Sequence, residues 1–222
     1  MITVAIDGGA ATGKGTLAQR LAKAYDLAYL DTGALYRAVA YRVMNAGLDV
    51  SDETVAVKAA LSLPLDQIGQ IQSNPEIRDE KYGTGASQVA QIPAVRQALF
   101  QFQRSFIASP HHVDGTPAKG TVMDGRDIGT VVCPEADLKV FLTASAEIRA
   151  KRRYKELQFR KIYAIYEDVL SDVIARDKRD QERKISAMRP ADDAFVLDTS
   201  DMTPDEVFAA VVGELDKKVC SK

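Results

Sequence analysis

Residues 8–16, GGAATGKGT, hold the residue types that phosphate chemistry needs, at a spacing that brings them together. Gly8, Gly9, Ala10, Ala11, Thr12 and Gly13 are small, so their backbone N–H groups can turn inward and meet anionic oxygens closely. Lys14 adds a charge that reaches the outer phosphates, and a helix opening there adds its N-terminal dipole. Gly8 and Gly13-Lys14 keep the G-x-x-x-x-G-K spacing, with Gly15 where Ser or Thr is usual and Thr16 one residue later. Gly13-Lys14-Gly15-Thr16-Leu17-Ala18 also fits the dinucleotide pattern G-x-G-x-x-A, with Asp31 ending the next strand. In that fold the glycines follow the first strand at once. Five residues here precede Gly13, enough to wrap a phosphate, and a nicotinamide enzyme is rejected.

A second group of candidates is basic. The segment 147–184 carries twelve Lys and Arg against eight Asp and Glu, a local +4 on a chain whose total is -2. Arg149 and Arg153 are four apart, as are Arg176 and Asp180, with Arg183 three further on, so each set is expected on one helix face. Alone this reads as a solvated helix laced with ion pairs; beside a phosphate loop it reads as an arginine-lined lid, 146–160, closing over phosphates. Asp124 ends an apolar strand after Val122 and Met123, a position from which a carboxylate can hold water on Mg²⁺. Thr16 is the other metal candidate, and a strand-end Asp also serves as a turn former. His111 and His112 sit between Pro110 and Asp114 and read as loop residues, and Cys133 and Cys220 as packing or surface residues.

Positioning these residues requires an α/β fold with a parallel five-stranded sheet flanked by helices. Strands are expected at Ile2–Asp7, Ala28–Asp31, Gly120–Asp124, Leu138–Thr143 and Ala194–Asp198, alternating with helical periodicity. Three of these runs end on Asp7, Asp31 and Asp124, at the carboxyl edge where open α/β sheets bind ligands. Leu17, Leu21 and Tyr25 share one helix face, as do Val95, Leu99, Phe102 and Phe106 after Pro93, which suits a first helical position. Residues 63–84 break the alternation with Pro, Asn and Gly and read as a small insertion; 109–119 read as an irregular stretch.

The 222 residues suit a single domain, and 46% hydrophobic with 27% charged residues is ordinary for a soluble globular protein. The near-neutral balance excludes a general nucleic-acid binder, and two distant cysteines exclude a disulfide framework or a cysteine zinc site. No stretch approaches the roughly 18 apolar residues of a membrane helix. A cytoplasmic monomer without nucleic-acid or membrane partners is the expected state.

The loop variant GKGT resembles that of the nucleoside-monophosphate kinases. LDTGALYRAVA (30–40), GASQVAQIPAVRQAL (85–99), DGRDIGTVV (124–132), SAEIRAKRR (145–153) and RDKRDQER (176–183) resemble, in that order, the bacterial cytidylate kinases. The resemblance implies transfer of the γ-phosphoryl group of ATP, with Mg²⁺, to CMP or dCMP. It implies ATP on Gly8–Thr16 and catalytic charges from Lys14, Arg149, Arg153 and Arg176. Thr32, Tyr36 and Arg37 then lie near the acceptor phosphate, although Tyr36 also suits a core and Thr32 a helix cap. Ser87, Arg96 and Asp127 match cytosine-recognising positions, Arg126 and Arg183 acceptor-phosphate ligands, and Arg176 with Asp180 groups near the ribose and the transferring phosphate. Against the family pattern, 63–84 is shorter than the usual small β-domain and 109–119 is longer. A kinase of UMP or shikimate, or a nucleotide switch, are the competing readings.

Overall fold

A computed structural model describes residues 1–183 and 185–220, without the side chains of Val219 and Cys220. The role expected of Cys220 and the charge of Lys184 therefore lie outside the described residues.

The apolar, β-branched run Ile2–Gly8 (β1) leads through the glycine loop into Lys14–Tyr25 (α1). Ala28–Asp31 (β2) and Thr32–Asn45 (α2) follow, then Glu53–Leu61 (α3), Ile68–Ser73 (α4), Glu80–Val89 (α5) and Pro93–Ala108 (α6). The chain continues through Gly120–Asp124 (β3), Leu138–Thr143 (β4), Ala146–Phe159 (α7), Tyr166–Gln181 (α8), Phe195–Asp198 (β5) and Pro204–Cys220 (α9). Among the described residues five strands form one parallel sheet in the order β2-β3-β1-β4-β5. The fold class expected from the sequence is the one observed, and strand bounds move by at most one residue.

β1 lies at the centre, so Val4, Ala5 and Ile6 are fully buried between two helical layers. Leu17 and Leu21 of α1 meet Val207, Val211 and Leu215 of α9 on one face. On the other, Ala5, Leu30 and Met123 pack with Phe102 and Phe106 of α6. Burying each such aliphatic side chain contributes about 1.5–3 kcal/mol. Register then aligns the carboxylates: Asp31 pairs with Asp124, and Ile6, the residue before Asp7, pairs with Asp124 from the other side. The three aspartates thus share one sheet edge.

Two stretches resolve differently from a loop-like reading. Residues 63–84 hold a 3₁₀ turn at Leu65–Gln67, α4, a second turn at Glu76–Arg78 and the start of α5, which Asp79 caps by accepting from the Lys81 N–H at 3.1 Å. No strand occurs there among the described residues. The longer stretch 109–119 folds back on itself through a His111–Pro117 bridge and lays Val113 against Gly69 of α4. His112 reaches Asp26 at 3.0 Å, and Cys133 is buried in the core. The two stretches therefore touch.

Candidate active site

The phosphate loop is built on close approach. At Gly8 φ is +140°, and a Cβ there would stand 2.1 Å from the Leu142 carbonyl oxygen of β4, so only glycine takes the bend. Lys14, 6% exposed, folds back over the loop and donates from Nζ to the Gly9 carbonyl at 2.6 Å. The Thr12 hydroxyl donates to the same carbonyl at 3.1 Å. Burial pulls Lys14 below the ordinary lysine range, and Arg126 and Arg176 push it the same way against the pull of Asp124. An incoming anion would relieve that strain.

Across the cleft, Asp124 is buried, and burial with Asp31 nearby lifts its carboxyl above the usual range while Lys14 opposes. Tyr29 donates its hydroxyl to Asp124 Oδ1 at 2.9 Å. Thr32, weighed from sequence as a helix cap, instead donates to the Asp124 carbonyl at 2.8 Å; the cap of α2 is Asp31, which accepts from the Ala34 N–H. Thr16 is exposed on the first turn of α1 and lines the same cleft.

Basic groups fill the remaining wall. Arg37, Arg126, Arg153 and Arg176 line a cleft of about 620 Å³ with the loop residues Ala10–Thr16, a size suited to a small-molecule site. Burial pushes Arg176 down to about 9, with Arg126 and Arg37 adding like-charge repulsion, and among the described residues nothing bonds its buried Nε. Arg37 is pushed to about 10, chiefly by burial, and donates to the carbonyls of Ile77 and Asp79. Half-buried cations pressed together in this way can receive an anionic ligand.

Beside the cleft a second network closes on Asp180, which is 1% exposed. Arg126 Nε reaches its carboxylate at 2.8 Å, Ser87 at 3.0 Å, and Arg183 bonds it too. Burial alone would raise this carboxyl, but Arg126, Arg183 and Arg176 outweigh it and hold it below the usual range. Arg96 pairs with Asp127 and lies 5.7 Å from the Tyr36 ring centre. α8 ends at Gln181, so Arg183 stands just past the helix rather than on its face, and still reaches Asp180.

The pair expected together on one face of the lid meets two different surroundings. Arg149, on the first turn of α7, is buried beneath the loop. It donates to the Ala144 carbonyl at 2.9 Å and the Ala10 carbonyl at 3.3 Å, and pairs with Asp177 at 2.5 Å. A Cβ on Gly9 would come within 2.9 Å of Arg149 Nη1, so glycine admits this brace. Arg153, one turn on, faces the cleft and pairs with Glu80 of α5 and with Glu156. α7 and α8 pack through Ala150, Leu157, Val169 and Val173.

The structure thus gathers Ala10–Thr16, Arg37, Asp124, Arg126, Arg153 and Arg176 around the cleft, with Gly8 and Gly9 packed against Leu142 and Arg149 behind the loop and Thr32 bonded to the Asp124 carbonyl. It sets Tyr36, Ser87, Arg96, Asp127, Asp180 and Arg183 in the adjoining network, and Arg149 under the loop. Sequence reasoning missed Tyr29, Arg78, Glu80, Arg160 and Arg179, which also line the cleft. Tyr29 had one signal, being next but one to Asp31 on the same strand, and Arg160 and Arg179 lay within the basic segment 147–184; Arg78 and Glu80 had none. Arg78 pairs with Asp31 at 2.9 Å, while Gln72 accepts the Asp31 N–H, so 63–84 clasps the end of β2.

Comparison with known proteins agrees with this geometry. The family model described as Cytidylate kinase matches residues 4–217. The cytidylate kinase of Paramagnetospirillum magneticum is 50% identical over 215 residues, covering 97% of this chain and 98% of the relative. That of Bradyrhizobium diazoefficiens is 48% identical over 199 residues, 90% and 88% of the two chains. Among solved structures, an uncharacterised protein from Eubacterium ventriosum superposes with a TM-score of 0.53 at 13% identity over 97% of this chain and 98% of its own, a likeness of fold.

Proposed function

The chain belongs to the cytidylate kinase family, and from that premise we propose that it moves the γ-phosphoryl group of ATP to CMP or dCMP, giving ADP and CDP or dCDP. The observation that carries this reading is the cleft itself. A glycine loop with buried Lys14 faces Arg37, Arg126 and Arg176, so two phosphate groups can meet among fixed cations. Phosphoryl transfer asks the protein for little else than positioning and positive charge around the equatorial oxygens. The acceptor phosphate is already an anion, and no general base is invoked.

In this reading the loop N–H groups and Lys14 hold the ATP phosphates, and Arg149 fixes the loop from below. Arg153 and Arg176 supply charge to the transferring group. Arg37, Arg126 and Arg183 hold the acceptor phosphate with Thr32 and Tyr36 beside it, Asp180 faces the ribose, and Ser87, Arg96 and Asp127 read cytosine. The arginines paired with Asp180 and Glu80 would exchange carboxylate for phosphate as substrates arrive, and α7 (the 146–160 segment) would move as a lid. The chain acts as a single kinase domain in which 63–84 forms part of the acceptor wall.

Mg²⁺ enters with ATP. Thr16 lines the cleft, and the buried Asp124 is held in place by the Tyr29 hydroxyl. One hydroxyl and one carboxylate form the small protein donor set of an ion that keeps waters and phosphate oxygens as its other ligands. Among the described residues no cluster of three His, Cys, Asp or Glu could hold a metal without the nucleotide. When bound, the ion would neutralise phosphate charge. Among the described residues no helix is long and apolar enough to cross a membrane. The proposed enzyme acts as a cytoplasmic monomer in pyrimidine nucleotide metabolism.

ADP release from ATP, measured as CMP is added, tests the reading. A steep rise is expected. A slow rate indifferent to CMP would favour a nucleotide switch.

A further inference from the structure

One buried carboxylate takes no part in this mechanism. Asp7, 4% exposed, is the residue of β1 before Gly8, and its carboxylate turns to the segment after β3. Its Oδ1 accepts the Ile128 N–H at 2.8 Å and its Oδ2 the Gly129 N–H at 2.8 Å. These are the first two N–H groups of the π-helical turn Ile128–Val132. Such N–H groups have no partner inside their own turn. The usual solution is local, since an Asp at the N-cap position folds its side chain onto them.

The N-cap of this turn is Asp127, and its side chain makes no capping bond. Its carboxylate points instead at Arg96 of α6. Asp7 does from 120 residues away what Asp127 would otherwise do for itself. Arg126, the residue before Asp127, reaches Asp180 from the same short segment. Asp127 and Lys14 are the charged groups that act on Asp7, and burial raises its carboxyl to about 6 while the two N–H groups hold it down.

We infer that Asp7 is a positioning residue for acceptor recognition: by capping the Ile128–Val132 turn from β1, it frees the Asp127 carboxylate for Arg96 and the base. The inference rests on the reading of Asp127 as part of the cytosine subsite. It also explains why the acceptor-reading turn is rooted on the strand that carries the phosphate loop, since one residue fixes both in register. An asparagine at position 7 keeps the shape, yet sets its NH₂ against one of the two N–H groups. The Asp127 carboxylate stands at the N-cap position from which a side chain can accept from the exposed donor, and by turning inward it would leave Arg96.

The test is Asp7→Asn, assayed for KM of ATP, CMP and UMP, with the Arg96 guanidinium signal followed by ¹⁵N NMR in the unliganded protein. The expected result is a KM for CMP raised roughly tenfold to a hundredfold, a reduced preference for CMP over UMP, and a KM for ATP within about twofold of wild type. The Arg96 Nη signal should shift away from its ion-paired position. Equal rises in both nucleotide KM values with the pyrimidine ratio intact would overturn the inference, as would an unchanged Arg96 signal. If Asp7→Asn does not fold, Asp7→Ser keeps one acceptor in a smaller side chain and should show the same pattern. A wild type inactive on CMP would sink the functional reading alone, because the Arg96 signal decides the role of Asp7 without any substrate.

Discussion

Replacing Asp127 by asparagine removes one charge from a pair whose side chains are 8% exposed at Asp127 and 11% at Arg96. The amide still accepts one hydrogen bond from Arg96, so the loss is smaller than the ~3–5 kcal/mol of an abandoned buried charge and nearer ~1–3 kcal/mol. A domain of this size moves by about 2–4 °C per kcal/mol, which places the fall in Tm at roughly 2–12 °C. The effect on substrate choice has a different origin. The carboxylate accepts from the cytosine amino group, whereas the uracil carbonyl would oppose acceptor to acceptor at about 1–3 kcal/mol. That energy corresponds to a CMP-over-UMP preference of about fivefold to 150-fold. Asparagine can turn its NH₂ toward the uracil carbonyl, so the ratio should shrink toward unity. Arg96→Ala should weaken both pyrimidines alike, since Arg96 faces acceptor atoms they share. The assay is kcat/KM for CMP and UMP in the three proteins, with Tm from thermal melts. A parallel loss on both substrates in Asp127→Asn, with the ratio intact, would place Asp127 in the phosphate or ribose network and refute the reasoning.

Lys14→Ala should abolish transfer while leaving Tm within a few degrees, because the side chain serves the loop and its ligand; steady-state turnover near wild type would refute this. Arg153→Ala should lower kcat and kcat/KM together with KM for ATP nearly unchanged, since its present partners Glu80 and Glu156 are half exposed and a phosphate replaces them only as charge develops. An unaltered kcat would return Arg153 to a structural ion pair. The pH dependence of stability carries a signature of Asp7. Its carboxyl titrates at about 6 in the folded state against 3.8 in the unfolded chain, so between those values the folded state holds more protons and stability from this group falls as pH rises. The slope from pH 4 to 6 should be more negative in wild type than in Asp7→Asn by at most about 1.4 kcal/mol per pH unit, and identical slopes in chemical denaturation would contradict it.

The sheet was legible because its determinants are local. β-branched runs with a carboxylate at the end identify strands and their ligand-binding edge, and Asp31 and Asp124 duly pair in register. The glycine loop was legible for the same reason, since six adjacent residues define its geometry. What stayed hidden depends on side chains meeting across long sequence separations. Tyr29 meets Asp124, Arg78 meets Asp31 and Arg153 meets Glu80 at distances no periodicity encodes. The four-residue spacing correctly put Arg149 and Arg153 on one face of α7, but could not show that the loop covers the first turn and leaves the second open. The helical character of 63–84 was masked by Pro, Asn and Gly, which here punctuate single turns rather than end all regular structure. Asp7 read as a strand-end residue like its neighbours; only the distant turn it caps distinguishes it.

The central claim is that the cleft joins ATP to a cytosine nucleotide, and ADP release across CMP, dCMP, UMP, AMP and GMP tests it most directly. The account predicts the highest kcat/KM for CMP and dCMP, UMP lower by about fivefold to 150-fold, and purine monophosphates at background. Equal rates with all five, or a purine nucleotide as the preferred acceptor, would contradict it.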